Sequence, residues 1–198
     1  PNVFTDGSYL HPGHAAAFAT YGAWEPGRSP ASFTDEEADF TRTVQLDTKW
    51  SIDGVLTAGA IPGVYSSSTR AELASVIAAL PKPGPLHFAL DNAAVVQGMH
   101  AIISGRTTSK RPWALRPDGD LWSIAERAVA IRGSNSLAVQ WTKGHASVNH
   151  ILEGVSSERN AIGNGMADTA ADHGHEVANH AEAQRVLSHF ARTQVAYE

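Results

Sequence analysis

Alternating apolar and polar residues at the start of the chain predict three strands. In residues 3–9 the side chains of Phe4, Asp6 and Ser8 fall on one face, because successive side chains of a strand point to opposite sides. Residues 15–24 and 52–65 have a similar strand-like character, and turn residues follow each of the first two segments. Together the three segments predict an antiparallel meander.

The remainder of the chain alternates helix-like and strand-like segments. Apolar residues at helical spacing predict helices over residues 69–80, 93–103, 118–131, 164–173 and 177–195. A short apolar run over 86–90 is typical of a strand buried on both faces, and 137–141 is a final short strand. The order βββ-α-β-α-α-β-α-α predicts an α/β fold with helices packed on a mixed sheet.

Composition indicates one ordinary globular domain and removes several kinds of site. Of 198 residues, 42% are apolar and 18% charged, which is enough to bury a sizeable core. There is no cysteine, so disulfides and thiolate metal sites are excluded. The formal net charge of −5 argues against bulk electrostatic attraction to nucleic acid, although a local basic patch is compatible with it.

The chain's N-terminus and its apolar runs indicate where in the cell the protein is expected. No apolar run approaches the roughly 20 residues of a membrane span, and no signal peptide is recognisable. No membrane partner is therefore expected. The sequence does not fix the compartment, for which the cytoplasm or nucleus is the expectation, and the isolated domain is expected to be a monomer. The first residue is Pro rather than Met, which suggests excision from a longer chain.

Four carboxylates stand where each has an ordinary local explanation. Asp6 precedes a glycine, and this pair is typical of a hairpin turn. Glu72 follows Thr69 at the spacing of a capping box, and Asp91 lies where the N-cap of the next helix would be. Asp168 reads as a surface charge. Each interpretation is favoured when its residue is considered alone.

As an ordered set, the same carboxylates predict a metal site, because four independent coincidences are otherwise required. Mg²⁺ prefers oxygen ligands, and two such ions about 3.5–4 Å apart can activate water and stabilise the leaving oxygen of a phosphodiester. His145 follows the last strand, where it suits a mobile acid–base role. The alternative is a surface-loop histidine, one of ten histidines in the chain.

A basic loop is a second candidate for function. Residues 106–116 contain four cations and Trp113, a combination that suits phosphate contacts and base stacking. A solvated loop without a partner is an equally good interpretation of the same residues.

Five short motifs, in this order, resemble those of the ribonuclease H family, of the type 1 kind found in cells and retroelements. They are Phe-Thr-Asp-Gly-Ser at 4–8, Thr-Arg-Ala-Glu-Leu at 69–73, Leu-Asp-Asn at 90–92, Lys-Gly-His at 143–145 and the Asn-to-Asp step at 164–168. Residues 120–122 resemble the start of the family's third helix. The resemblance implies an RNase H-like α/β fold: a five-stranded mixed sheet, three antiparallel strands then two parallel ones, flanked by helices.

The resemblance also implies an activity. It implies an endoribonuclease that hydrolyses the RNA strand of RNA/DNA hybrids with two Mg²⁺ ions, or Mn²⁺ in their place, leaving 5′-phosphate and 3′-hydroxyl ends. Asp6, Glu72, Asp91 and Asp168 would be metal ligands and catalytic residues, and His145 would assist proton transfer and product release. The implied nucleic-acid contacts are Ser67, Ser68, Thr69, Asn92, Lys110, Arg111, Trp113, Arg116 and Asn164. The implied context is a free-standing enzyme or a domain beside a reverse transcriptase in one polyprotein.

Departures from the family pattern define the expected domain limits. Residues 1–175 would form the catalytic domain, with an insertion at 28–49 and a long loop at 146–163 before the last catalytic helix. Residues 176–198 would be a C-terminal helical extension. A Zn²⁺ site at His173, His175 and His180 is a weaker interpretation than surface histidines, since no ligand spacing supports it.

Two other functions remain open at this point. One is an integrase- or resolvase-like nuclease of the same fold that acts on DNA. The other is a non-catalytic domain that binds or tethers a hybrid. The Lys-Gly-His loop argues against the first, and the presence of all four carboxylates argues against the second.

Overall fold

The strands and helices follow the predicted order closely. The computed structural model describes residues 1–10, 18–29, 32–33, 35, 53–61, 67–106 and 111–178. The strands are β1 (Val3–Leu10), β2 (Phe18–Pro26), β3 (Gly54–Ala60), β4 (Leu86–Leu90) and β5 (Leu137–Trp141). The helices are α1 (Ser68–Ala79), α2 (Ala93–Ile103), α3 (Gly119–Arg132), α4 (Val148–Leu152) and α5 (Glu158–Ala178), with 3₁₀ turns at Trp113–Leu115 and Ser134–Ser136.

The five strands form one mixed sheet in the order β3-β2-β1-β4-β5. The pairs β1–β2 and β2–β3 are antiparallel, and β1–β4 and β4–β5 are parallel. This arrangement confirms the predicted sheet. The parallel pairs place the carboxyl ends of β1, β4 and β5 along one edge, where functional residues of such sheets commonly lie.

Two hydrophobic layers cover the sheet. Alternate residues of β4, such as Phe88 and Leu90, pack with α1, α2 and α3, whereas Ala89 packs with Phe4 and α5. Period-two alternation in the strands therefore sorts the side chains into the two layers. The side chain of Ser8 also reaches α5, so Phe4 and Ser8 share a face as predicted.

Two glycines let helices lie unusually close to the central strands. A methyl group at Gly7 of β1 would overlap the backbone of Ala71 in α1, and one at Gly22 of β2 would overlap the Ala167 carbonyl in α5. Only glycine permits this approach without displacing a helix. The helix that carries Glu72 is thereby held against the strand that carries Asp6, and the helix that carries Asp168 against the neighbouring strand β2.

The stretch predicted as a long loop is helical at both ends, so that prediction is wrong. Helix α4 occupies Val148–Leu152, and α5 begins at Glu158 rather than at residue 164. Local capping explains both starts: Ser147 and His150 form a capping box, and the Asn160 amide donates to the Ser157 hydroxyl. Such caps are short-range and do not depend on a long apolar pattern.

The predicted break between two C-terminal helices is also absent, because α5 continues through Ala178. Gly174 lies against Thr20, and this close approach needs a small residue rather than a helix end. The helix therefore crosses the expected boundary at residue 175. Residues 179–198, including His180, and most of the 28–49 insertion lie outside the described residues.

Within the described part of the chain, no helix is both long enough and apolar enough to cross a membrane.

Candidate active site

Three of the four predicted carboxylates come together at one edge of the sheet. Asp6 lies within β1, Glu72 in the second turn of α1, and Asp91 directly after β4. One carboxylate oxygen from each lies within 4.8 Å of the others. The fold thus gathers acidic groups that are far apart in sequence.

The ordinary local explanations for these carboxylates do not apply. Ser67, not Thr69, is the N-cap of α1, and its hydroxyl accepts from the Arg70 amide at 3.0 Å. Asn92 caps α2, accepting from two backbone amides at 3.1 and 3.2 Å. Asp6 accepts from the Gly7 amide at 2.7 Å within a continuous strand, so no hairpin turn forms there. Neither Glu72 nor Asp91 therefore serves as a helix cap.

Burial makes this cluster electrostatically costly. Asp6 is 6% exposed and Glu72 4% exposed. Loss of solvation, helped by the charges of Asp91 and Asp168, raises the pKa of Asp6 from 3.8 to about 6. The same burial, followed by the charge of Asp6, raises the pKa of Glu72 well above its usual value. The metal-free site therefore retains a proton that isolated carboxyl groups would lose.

One oxygen of this cluster has no partner when the group is ionised. Glu72 Oε2 is buried, and among the described residues no donor faces it. A buried acceptor without a partner costs about 1–3 kcal/mol. Either a proton on Glu72, shared with Asp6 and Asp91, or a cation among the three groups would satisfy it. A divalent cation with oxygen ligands therefore fits this donor set.

Asp168 stands beside the cluster rather than inside it. It lies on α5, and burial raises its pKa, helped by the charge of Asp172 one turn further along the helix. Its Oδ2 lies 3.8 Å from Nδ1 of His145, whose side chain is 79% exposed. His145 has a left-handed backbone, φ 46°, which is uncommon for a residue with a side chain. The histidine is thus held beside Asp168 while its ring faces solvent.

A groove next to the cluster contains four of the predicted nucleic-acid contacts. Its volume is about 540 Å³, and it lies between the start of α1, α2 and the Trp113 turn. Ser67, Thr69, Trp113 and Arg116 line it, together with Asp118 and Trp122. The groove therefore combines hydroxyl groups, one cation and two aromatic rings.

The aromatic wall of the groove is an ordered stack. The Arg116 guanidinium lies 4.0 Å from the centre of the Trp113 ring, and Trp113 stacks on Trp122 at 5.8 Å. The Trp113 indole donates to Glu126 at 2.8 Å. In the sequence, Trp122 is one apolar residue within the predicted helix 118–131, and nothing there marks it as part of a groove. Its aromatic neighbour at Trp113 was the available signal, but nine residues separate the two in sequence.

The other predicted nucleic-acid contacts have different positions. Ser68, Asn92 and Arg111 are outside the lining of this groove, and Lys110 lies outside the described residues. Asn164 is 2% exposed, so it is not a surface contact, and this prediction is corrected. His175 is also buried, against the Thr20 hydroxyl at 3.1 Å, so its interpretation as a surface histidine is wrong.

Comparison with known proteins gives likeness at the level of structure. No protein-family model matches the sequence, and no curated protein matches it significantly. The solution structure of the PFV RNase H domain has a TM-score of 0.54 and 19% identity, covering 88% of this chain and 93% of that one. LC9-RNase H1, a type 1 RNase H, has a TM-score of 0.52 and 20% identity, covering 86% and 71%.

A larger protein contains the same kind of unit. The foamy viral protease-reverse transcriptase in complex with RNA/DNA hybrid matches with a TM-score of 0.51 and 14% identity, over 87% of this chain. This chain spans about a fifth of that protein's length, 19% of its residues. From its sheet topology and these likenesses, the chain has the ribonuclease H fold.

Proposed function

We propose that this chain is a metal-dependent nuclease of the ribonuclease H family that hydrolyses the RNA strand of RNA/DNA hybrids, leaving 5′-phosphate and 3′-hydroxyl ends. The observation that carries the proposal is the buried cluster of Asp6, Glu72 and Asp91, within 4.8 Å of one another, on a ribonuclease H fold. A buried acidic cluster that served only structure would be destabilising, because its charges repel.

Asp6, Glu72 and Asp91 would hold divalent cations, and Asp168 would complete the set from α5. Mg²⁺ fits their all-oxygen chemistry, and Mn²⁺ accepts the same ligands. When bound, the cations would activate the attacking water and offset the charge that develops on the leaving oxygen. Two ions match the number of carboxylates, since four negative charges offset two divalent cations.

The remaining groups handle protons and position the substrate. His145 lies between solvent and Asp168, so its imidazole can accept a proton at the site and release it to water. The Asp168 carboxylate lies 3.8 Å from Nδ1 of this ring and would attract it when the ring is protonated. Because His145 is exposed, it can move with the departing product.

The groove supports a nucleic-acid substrate. Arg116 can meet a phosphate, the Trp113 ring offers a stacking surface, and the hydroxyls of Ser67 and Thr69 can donate to sugar or phosphate oxygens. Ser68, Asn92, Lys110 and Arg111 stay proposed contacts around it. The structural likeness to a reverse transcriptase found in complex with RNA/DNA hybrid and with dsDNA supports a nucleic-acid substrate, and the motif resemblance is what points to the hybrid.

The same likeness suggests a context for the chain. A reverse transcriptase domain of the same polyprotein is the proposed partner, since this chain corresponds to about a fifth of such a protein. The isolated domain is proposed to be a monomer.

A cleavage assay tests the proposal directly. The protein is incubated with Mg²⁺ and an end-labelled RNA/DNA hybrid, and separately with duplex DNA and duplex RNA. Only the RNA strand of the hybrid should be cut. The Asp91→Asn variant should lose cleavage while remaining folded, whereas Asp53→Asn, a matched change at an exposed residue, should retain it.

Three other outcomes would contradict the proposal. Cleavage of duplex DNA would indicate an integrase- or resolvase-like enzyme. Tight binding of the hybrid without any cleavage would indicate a tethering domain. Full activity in Asp91→Asn would remove the metal-site assignment.

A further inference from the structure

Three consecutive residues at the end of β4 are each fixed by a hydrogen bond. The Leu90 carbonyl accepts from the Thr142 amide at 2.8 Å, as the final rung between β4 and β5. The Asp91 carbonyl accepts from the indole N–H of Trp141 at 2.9 Å. The Asn92 side chain caps α2. Asp91 is therefore held on both sides and at its own backbone.

The Trp141 contact replaces a missing backbone partner. Strand β4 ends at Leu90, so the Asp91 carbonyl lies outside the strand ladder and has no strand amide to accept from. The indole N–H, which only donates, takes that place. Yet the side chain is 47% exposed, so core packing alone does not account for a tryptophan here.

The loop after Trp141 contacts the Asp91 carboxylate from another side. A methyl group at Gly144 would overlap Asp91 Oδ2, so the glycine backbone itself borders this oxygen. Within this loop the Lys143 ammonium donates to the Gly144 carbonyl at 3.0 Å. Residues 141–144 thus limit both the backbone and the side chain of Asp91.

We propose that Trp141 is a positioning residue that orients Asp91 for metal binding through its hydrogen bond to the Asp91 carbonyl. The inference rests on the proposed function, since it assigns Asp91 as a ligand. Groups that hydrogen-bond to ligand residues commonly change metal affinity or activity by about 10- to 100-fold when removed.

The test compares metal binding by Trp141→Phe and the unaltered protein. Phenylalanine keeps an aromatic ring at the strand end and removes only the N–H donor. Calorimetric titration with Mn²⁺ should show about 10-fold weaker binding in the variant. Affinity for the hybrid without divalent metal should be unchanged.

Trp24→Phe provides the matched control. Trp24 is buried in the layer between the sheet and α5, so this variant loses at least as much packing as Trp141→Phe. Its metal affinity should equal that of the unaltered protein. An equal loss of metal affinity in both variants would overturn the inference, because general destabilisation would then explain it.

A measurement on the unaltered protein covers the case in which Trp141→Phe does not fold. The protein is titrated with Mg²⁺ alone, without Mn²⁺. In a ¹H–¹⁵N spectrum the Trp141 indole signal should shift, and the ¹³C carboxyl signal of Asp91 should shift over the same range of Mg²⁺ concentration. The Trp24 indole signal should remain still. A Trp141 signal that does not respond would overturn the inference.

The outcomes separate this inference from the proposed function. If the unaltered protein binds no divalent metal, both fail. If it binds metal and cuts the hybrid, but Trp141→Phe does so equally well, only the positioning role fails. Weaker hybrid binding with unchanged metal affinity would also overturn it, since Trp141 would then be a substrate contact.

Discussion

At the scale of single residues, the protonation of Asp6 and Glu72 dominates. Both are buried beside other carboxylates, and burial raises the pKa of each. In the unfolded chain they would ionise near their usual values. The folded, metal-free protein therefore binds protons that the unfolded chain releases, and its stability depends on pH through these groups.

The Asp6→Asn variant tests this dependence. The pKa of Asp6 rises from 3.8 to about 6 on folding, so stability contributed by its neutral form is lost as the pH rises between these values. The full loss is of the order of 3 kcal/mol. In EDTA, the free energy of unfolding should decrease less between about pH 4 and about pH 7 for Asp6→Asn than for the unaltered protein. At about pH 8 it should be the more stable of the two, by about 2 kcal/mol.

Urea unfolding across this range, in EDTA and then in excess Mg²⁺, makes the measurement. Mg²⁺ should stabilise the unaltered protein by mass action and should stabilise Asp6→Asn much less. Asp53→Asn, at an exposed position, is the control. A flat profile for the unaltered protein over this window would refute the electrostatic account of the site.

At the scale of elements, one arginine connects α1 to the start of α3. Arg70 forms a two-pronged ion pair with Asp120, at 2.8 and 2.6 Å, and reaches Asp118 at 3.5 Å. The pKa of Asp120 is held below its usual value, chiefly by the hydrogen bond from Arg70. This pair fixes the position of α3 relative to the helix that carries Glu72, and it also shapes one end of the groove.

A double-mutant cycle on Arg70→Gln and Asp120→Asn should give a coupling energy of about 1 kcal/mol at neutral pH. The figure is modest because Asp120 is largely exposed, although paired hydrogen bonds strengthen the contact. Since the pKa of Asp120 is lowered on folding, the coupling should be fully present above its usual pKa and should be lost as the pH falls through its lowered pKa in the folded protein. Thermal unfolding of the four proteins provides the energies. Strictly additive single changes at neutral pH would show that the pair contributes nothing.

At the scale of the whole molecule, charge limits how a nucleic acid is bound. The formal net charge is −5, so attraction to phosphates must come from a local region rather than from the protein as a whole. Arg116, which lines the groove, belongs to the stretch 106–116 that carries four cations in sequence, and this stretch is the proposed local region. A small number of phosphate contacts predicts a moderate dependence of affinity on salt.

Hybrid binding measured over a range of salt concentrations tests this view. With about four cations engaged, the logarithm of affinity should fall with the logarithm of salt at a slope of about −3. Arg116→Ala should reduce that slope by about 1. Arg159→Ala serves as the control, because Arg159 binds the Pro1 carbonyl at the opposite edge of the sheet. Equal slopes for Arg116→Ala and the unaltered protein would exclude a phosphate contact at this arginine.

Much of the fold was predictable because its determinants are local or periodic. Strand alternation over residues 3–9 and helical spacing over 69–80 are properties of neighbouring residues, and they survive in β1 and α1. The two short helical starts at Ser147 and Ser157 were missed. The only sequence signal for each is a single capping residue, with no apolar periodicity behind it. Such a signal is weak on its own, and it determines a helix start only when the chain on either side is already fixed.

The candidate site, like the fold, was predictable in part. The sequence by itself determined which carboxylates are present, their order and the elements that carry them, because motif spacing is read along the chain. Only the tertiary structure decided that Ser67 and Asn92 take the capping roles, that Asp6, Glu72 and Asp91 converge, and that Asn164 is buried. These outcomes depend on which strand lies beside which and on how closely glycines let the helices approach. Such distances arise between residues far apart in sequence, so no local pattern encodes them.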